Sequence, residues 1–221
     1  MTFPTDLTVA VLGGTGPQGR GLARRFAAAG ITVVIGSRSA DRAAETAATL
    51  AEATGGTVSG ATNLEAAAAG DVVVLAVPYD GHADLVREVA DSLAGKVVVD
   101  CVNPLGFDKQ GAFGLAVEEG SAAQQAHGLL PESRVVGAFH HVSAVLLEDP
   151  EVASVDTDVL VVGDDREATD LVQALAEAIP GVRGVYAGRL RNAGQVETLT
   201  ANLISINRRY KGHSGLRVTD V

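Results

Sequence analysis

Short runs of apolar, β-branched residues punctuate the chain at 7–12 (LTVAVL), 32–36 (TVVIG), 71–78 (DVVVLAVP), 96–102 (KVVVDCV), 134–139 (RVVGAF) and 158–163 (DVLVVG). They are continuous rather than alternating, the pattern of strands buried on both faces of a parallel sheet. Between them stand Ala-rich stretches at 17–29, 40–53, 63–69, 81–94, 120–129 and 165–178 that read as helices. Strand and helix in alternation predict a doubly wound α/β sheet. Gly30 sits where a C-terminal cap closes the first helix. The Asp164–Asp165 pair in GDDREATDL is expected to cap another. After about residue 142 the pattern changes. One more strand–helix unit leads through RGVYAG into a long final helix, RNAGQVETLTANLISINRRYKG. There Val196, Leu199, Leu203, Ile206 and Tyr210 are spaced three and four apart and form one apolar stripe. Ile204 lies off the stripe and points to a second apolar contact, such as another subunit.

Composition narrows the class. With 221 residues, 47% of them hydrophobic and 20% charged, the chain can bury a sizeable core in one large or two small domains. The first residues, MTFPTDLTVAVL, lack a basic segment followed by a long apolar one, so no signal peptide is expected. No apolar run reaches the ~20 residues of a membrane helix. A single cysteine, Cys101, suits a reducing interior. The expectation is a soluble, cytoplasmic protein. A net charge of −10, no Trp and 4% aromatics argue against nucleic acid as a partner. Yet twelve of the seventeen Lys and Arg fall within 20–42 and 183–217. Two basic segments in an acidic protein suggest a receptor for small polyanions, or solvated helix faces.

The first of those segments overlaps a motif. In LGGTGPQG, Gly14, Gly16 and Gly19 make G-x-G-x-x-G directly after a strand and at the start of a helix, the context that gives this pattern meaning. The first Gly permits the tight turn, the second lets a phosphate approach the backbone, and the third lets helix and strand pack closely. This predicts a Rossmann-type domain over 1–142, a mostly parallel sheet, with a smaller α/β extension over 143–221 that completes a cleft. At the end of the second strand such folds place an acidic residue on the ribose of NAD. Here the chain reads GSRS. Ser37 and Arg38 suit a 2′-phosphate, which a guanidinium binds through short charged hydrogen bonds, and Arg42 adds a cation one helical turn on. The expected dinucleotide is NADP(H).

Together, AVLGGTGPQGRGLARRFAAAG, VVIGSRS, VVVLAVPYDGH, VVGAFHHVSA, VLVVGDD and VETLTANLISINRRYKG give the chain a resemblance to the NADPH-dependent reductases of the deazaflavin coenzyme F420, the F420:NADP oxidoreductases, over nearly its whole length. The resemblance implies that Thr15, Gly16, Pro17 and Gln18 contact the pyrophosphate, and Ser37, Arg38 and Arg42 the 2′-phosphate. It further implies that Val77 and Tyr79 lie along the dinucleotide and that Leu216 closes over it. His140, as catalytic residue, and Val142, with Thr198 and Thr200, match the deazaflavin cleft. Where relatives can carry an Arg before the VE step, this chain has Gly194, with Arg191 nearby.

Read by itself, His140 follows a buried strand to the carboxyl edge of the sheet, where ligands sit. Such a residue is often a core histidine, and His141 should point the other way if both are extended. Thr198 and Thr200, two apart on a helix, cannot face the same way. No spacing suggests a metal site, and no nucleophile motif is present. The expected activity is reversible hydride transfer between NADP(H) and F420, in a homodimer. The open alternatives are an NADPH-dependent reductase of an imine, keto acid or flavin, and a non-enzymatic NADPH sensor. A sensor would need no ring-sized slot beside the nicotinamide.

Overall fold

A computed structural model describes residues 2–221. The first half alternates as expected: β1 (Thr8–Leu12), α1 (Pro17–Ala28), β2 (Thr32–Ser37), α2 (Ala40–Thr54), β3 (Val58–Thr62), α3 (Asn63–Ala69), β4 (Val72–Leu75), α4 (His82–Leu93) and β5 (Val97–Asp100). A hairpin of β6 (Leu105–Asp108) and β7 (Gly111–Gly114) interrupts it before α5 (Ala122–Leu129) and β8 (Arg134–Gly137). Then follow α6 (Ala144–Glu148), β9 (Thr157–Gly163), α7 (Arg166–Glu177), β10 (Val182–Gly188) and α8 (Ala193–Tyr210).

Eight strands form one sheet in the order β10-β9-β8-β5-β4-β1-β2-β3. Neighbours from β3 to β8 are parallel, and β9 pairs antiparallel with β8. The mostly parallel, doubly wound sheet is thus observed. The apolar runs are continuous because successive residues serve opposite layers. Val9, Val11, Val72, Val74, Val97 and Val99 enter one core, and Ala10, Leu12, Val73, Leu75 and Val98 the other. Each buried Val or Leu contributes about 1.5–3 kcal/mol. Among the described residues no helix is long and apolar enough to cross a membrane.

The direction of β9 matters for function. Because it runs against β8, its first residues lie at the edge where β1, β2, β4, β5 and β8 end. The C-terminal tail crosses this same edge, with Asp158 N–H donating to the Leu216 carbonyl at 2.8 Å and Leu216 N–H to Thr157 Oγ1 at 3.0 Å.

Three elements differ from the sequence reading. β3 was not expected, because its VSGAT carries little apolar signal; a Cβ on Gly60 would lie 2.2 Å from the Ala43 carbonyl carbon, so α2 covers bare backbone there. The β6–β7 hairpin and the five-residue α6 were also missed. The stripe on α8 is buried only at its start. Val196 and Leu203 are covered, Leu199 is half-buried, and Ile206 and Tyr210 are 41% and 77% exposed.

Candidate functional site

The nucleotide turn is built one residue earlier than the motif suggests. Gly13 takes the left-handed conformation, φ +73°. A Cβ there would meet Val77 Cγ1 at 2.6 Å and the Ala76 oxygen at 2.7 Å. The sharp turn therefore belongs to Gly13, a role the sequence reading gave to Gly14; the GG doublet was its signal. Gly14 is needed for close packing, since its Cβ would lie 2.7 Å from the Val11 oxygen. Gly19 packs as expected, 2.8 Å from Gly14 Cα and 2.9 Å from the Gly13 oxygen. Gly16 differs from all three. Its Cβ would touch only the Gly13 oxygen, at 3.4 Å, so open space lies before it.

That space adjoins a bare helix end. α1 has Gly16 as N-cap, no side-chain cap and no acidic residue in its first turn. Ser39 caps α2, a Thr62–Glu65 capping box starts α3, Ser121 caps α5 and Asp165 caps α7, as the sequence reading expected of that acidic pair, while α4, α6 and α8, like α1, have no side-chain cap. Pro17 at the first position has no N–H to satisfy. The remaining free amides and the positive end of the helix dipole are left for an anion. Thr15 and Gln18 are half-buried beside it. Gln18 also donates its Nε2 to the Phe139 carbonyl at 3.2 Å, which ties this turn to the end of β8.

At the end of β2, Ser37 is buried, and its Oγ accepts from Ser39 N–H at 3.3 Å. Arg38 and Arg42 are exposed, and among the described residues neither has a carboxylate within 4.0 Å. Several other arginines of the two basic segments are engaged. Arg20 pairs with Glu148 at 2.8 Å. The buried Arg25 donates to the carbonyls of Leu146, Leu147, Asp149 and Val152 and so fastens α6 to α1. Arg183 and Arg217 both bind Asp158, and Arg189 meets Asp164 at 3.5 Å. The clustering seen in sequence thus resolves into structural clamps and exposed cations, among them Arg38 and Arg42 at the strand end.

The other half of the site gathers around the His140 backbone. Phe139 has φ +64°, so 140 and 141 turn rather than extend. The sequence argument that assumed extension does not apply. The His141 ring lies 2.7 Å from the Asp158 carbonyl, which marks it as structural. The His140 carbonyl accepts from Thr200 Oγ1 at 3.0 Å and from Asn103 Nδ2 at 2.7 Å. Both His140 ring nitrogens are buried with no partner. Burial pulls its pKa down to about 4, so the ring is neutral at pH 7. Val142 is buried beside it in sequence.

Thr198 and Thr200 do face different neighbours. The Thr198 hydroxyl bonds back to the Gly194 carbonyl at 2.6 Å, and its methyl lies against Gly114 of the hairpin. Val77 and Tyr79 are half-buried past the end of β4, and Leu216 is half-buried in the tail at the same edge. Gly194 has a local reason. A Cβ there would stand 2.6 Å from the Gly120 carbonyl, so the close approach of α8 to the α5 entrance excludes a side chain. Arg191 is exposed one short turn earlier. Sequence reasoning missed Asn103, whose only signal was its place in the CVNP segment after β5.

Known proteins place this geometry in context. Residues 8–104 match the family described as "NADP oxidoreductase coenzyme F420-dependent". The chain is 42% identical to the F420-dependent NADP reductase of Methanothermobacter thermautotrophicus over 97% of its length and 96% of that protein's. With the enzyme of the same name from Methanocaldococcus jannaschii the identity is 38%, over 97% and 99%. A solved structure from an Arthrobacter species, assigned to the F420-dependent NADP reductases, superposes with a TM-score of 0.80 at 27% identity, covering 96% and 99%. A pyrroline-5-carboxylate reductase from Coxiella burnetii shares the fold, with a TM-score of 0.63 at 16% identity over 94% of this chain and 68% of that one. With relatives matched end to end, the chain belongs to the F420-dependent NADP oxidoreductase family.

Proposed function

We propose that this protein transfers a hydride reversibly between NADP(H) and coenzyme F420. The observation that carries the reading is the uncapped α1 N-terminus beside the unpaired Arg38 and Arg42, a place for a pyrophosphate and a 2′-phosphate on one molecule. Thr15, Gly16 and Gln18 frame the pyrophosphate, with Pro17 presetting the first turn. Ser37, Arg38 and Arg42 hold the 2′-phosphate. Val77 and Tyr79 flank the dinucleotide, and Leu216 covers it from the tail.

When both coenzymes are bound, hydride passes between nicotinamide C4 and deazaflavin C5. The protein's task is to hold two flat rings together, which supplies about 7–11 kcal/mol of a barrier when orientation is good. His140, Val142, Thr198 and Thr200 form the deazaflavin side, contributed partly by residues 143–221 and completing the cleft on 1–142. His141, the structural histidine, has one of its two ring nitrogens satisfied, whereas His140 has neither. The unpartnered His140 ring is instead ready to hydrogen-bond a ring edge, as a neutral group and not as an imidazolium acid.

The test mixes protein, NADPH and oxidised F420 and follows loss of the deazaflavin absorbance. Reduction by NADPH consumes one proton. The equilibrium should therefore move about tenfold, or 1.36 kcal/mol, toward reduced F420 for each unit of acidification while the reduced ring keeps that proton. His140→Ala should slow turnover without abolishing it. NADPH binding without turnover in either direction from pH 5 to 9 would defeat the reading and leave the sensor or another reductase.

The active form is a homodimer in this reading. The hairpin packs on α8 and leaves Phe107, Phe113 and Leu115 exposed, while α8 exposes Ile206 and Tyr210, and such apolar surface marks a contact site. Light scattering at micromolar protein should give twice the chain mass of 22.5 kDa, and a monomer mass rejects it. The cytoplasm, where the buried Cys101 stays reduced, is the expected compartment.

A further inference from the structure

Three ionisable side chains that the preceding scheme does not use are wholly buried near one another. They are His82 at the start of α4, Asp100 at the end of β5 and Glu197 near the start of α8. His82 Nε2 lies 2.7 Å from Asp100 Oδ2, and its Nδ1 lies 3.1 Å from Gln125 Oε1. Gln125 directs its Nε2 to Glu119 and so presents its oxygen to the ring. Both ring nitrogens face acceptors, the arrangement of an imidazolium. Burial acts to lower the His82 pKa, but the hydrogen bond and charge of Asp100 overcome it and raise it.

Glu197 is held differently. Its Oε2 accepts from Ala122 N–H at 3.0 Å and its Oε1 from Ala123 N–H at 3.1 Å, so a carboxylate from α8 sits on the first amides of α5. Burying such charges is costly, and well-packed apolar residues would serve stability as well. The unit's connections suggest why it is there. Asp100 Oδ1 accepts from Val102 N–H at 2.9 Å and shapes the turn that presents Asn103 to the His140 carbonyl. α8, pinned by Glu197, presents Thr200 to that same carbonyl. On the other side Tyr79 stacks on His82 at 6.3 Å. One buried unit thus reaches the nucleotide side, the His140 strand end and the deazaflavin-side helix.

We propose that Glu197 is a positioning residue for hydride transfer, its carboxylate locking α8 against α5 so that the deazaflavin side of the cleft is held in register with the nucleotide side fixed by Asp100 and His82. The inference rests on the hydride-transfer reading. Ionised, Glu197 accepts from both amides; protonated, it gives up one acceptor and the lock loosens. Asp100 from β5 and His82 from α4 face it, Tyr79 and Glu119 lie further along the network, and α5 offers only amides. Burial and the nearby Asp100 push its pKa up to about 7, so the lock is set above neutral pH and released as pH falls.

Glu197→Gln imitates the released state, since an amide accepts from one N–H and opposes the other. The variant should bind NADPH within about twofold of the parent and lose roughly tenfold or more in kcat at pH 8, as misplaced reactants do. The parent's kcat should fall as pH drops from 8 to 5.5, approaching the variant, whose profile stays flat. F420's own ionisation is common to both proteins, so the difference belongs to Glu197. Ser121→Ala, which removes only the neighbouring α5 cap, should keep the parent's pH limb. If the Glu197→Gln protein fails to bind NADPH and so to fold, His82→Gln decides. Removing that positive charge must move the parent's limb to higher pH, and an unmoved limb overturns the proposal. An active parent whose pH limb persists in a folded Glu197→Gln protein also overturns it, with the hydride-transfer reading intact. A parent that binds NADPH and never turns over ends both.

Discussion

Arg38→Ala is expected to weaken NADPH binding by about 1.5–3 kcal/mol, the range for hydrogen bonds to charged groups, or roughly 10- to 150-fold. NADH binding should hardly change, because its ribose carries no 2′-phosphate. The site is exposed, so salt should shrink the difference. The expectation follows from the contrast among the arginines. Arg20 and Arg25 already have partners inside the protein, whereas Arg38 and Arg42 stand free at the end of β2. Arg42→Ala should act in the same direction more mildly, since it starts one turn into α2. Titrating both nucleotides against parent and variants separates the terms. Equal losses for NADPH and NADH, or a parent that prefers NADH, would sink the assignment.

The second large effect is expected at Asp158. Its carboxylate is fully buried and accepts from Arg183 at 2.8 and 2.6 Å, Arg217 at 2.5 Å and Val218 N–H at 2.6 Å. These bonds, Arg183 first, hold its pKa far below the usual carboxylate range. A group with a depressed folded-state pKa contributes stability that is present above its unfolded value, near 4, and lost as pH falls through the folded one. Acid below about pH 4 should therefore loosen the β9–β10 edge and the tail, whose stabilisation by Asp158 is complete at neutral pH. Asp158→Asn should cost about 2–3 kcal/mol. That is less than a fully buried pair because both guanidiniums are partly solvated and can return to water. The melting temperature should drop by roughly 4–12 °C. The tail carrying Leu216 should become accessible to hydrogen exchange, with weaker NADPH binding as the functional echo. An unchanged tail in the variant would show that Thr157 and the backbone bonds of Leu216 hold it alone.

Much of this molecule could be read along the chain. The parallel sheet was legible because strands buried on both faces need continuous apolar runs, and those at 7–12, 71–78 and 96–102 could serve little else. The basis of the NADP reading was legible because one strand end carries the whole contrast between a carboxylate and a guanidinium. Capping by Asp165 was legible too, being a contact three residues long. β3 was hidden because its fit depends on α2 approaching Gly60, not on apolar side chains. The hairpin was hidden because its strands have four residues each and lean on α8.

What the sequence determined by itself is therefore whatever local pattern dictates: the alternation of strand and helix, the glycine-rich turn and the cations that follow β2. Tertiary structure alone decided which arginines are free, because Arg25, Arg183 and Arg217 find partners 25 or more residues away. It alone decided that Gly13 and not Gly14 makes the turn, because Val77 and Ala76 close over that spot. And it alone joined His82, Asp100 and Glu197, which lie on three elements, since burial and charge coupling are properties of distance in space and leave no periodicity in the chain.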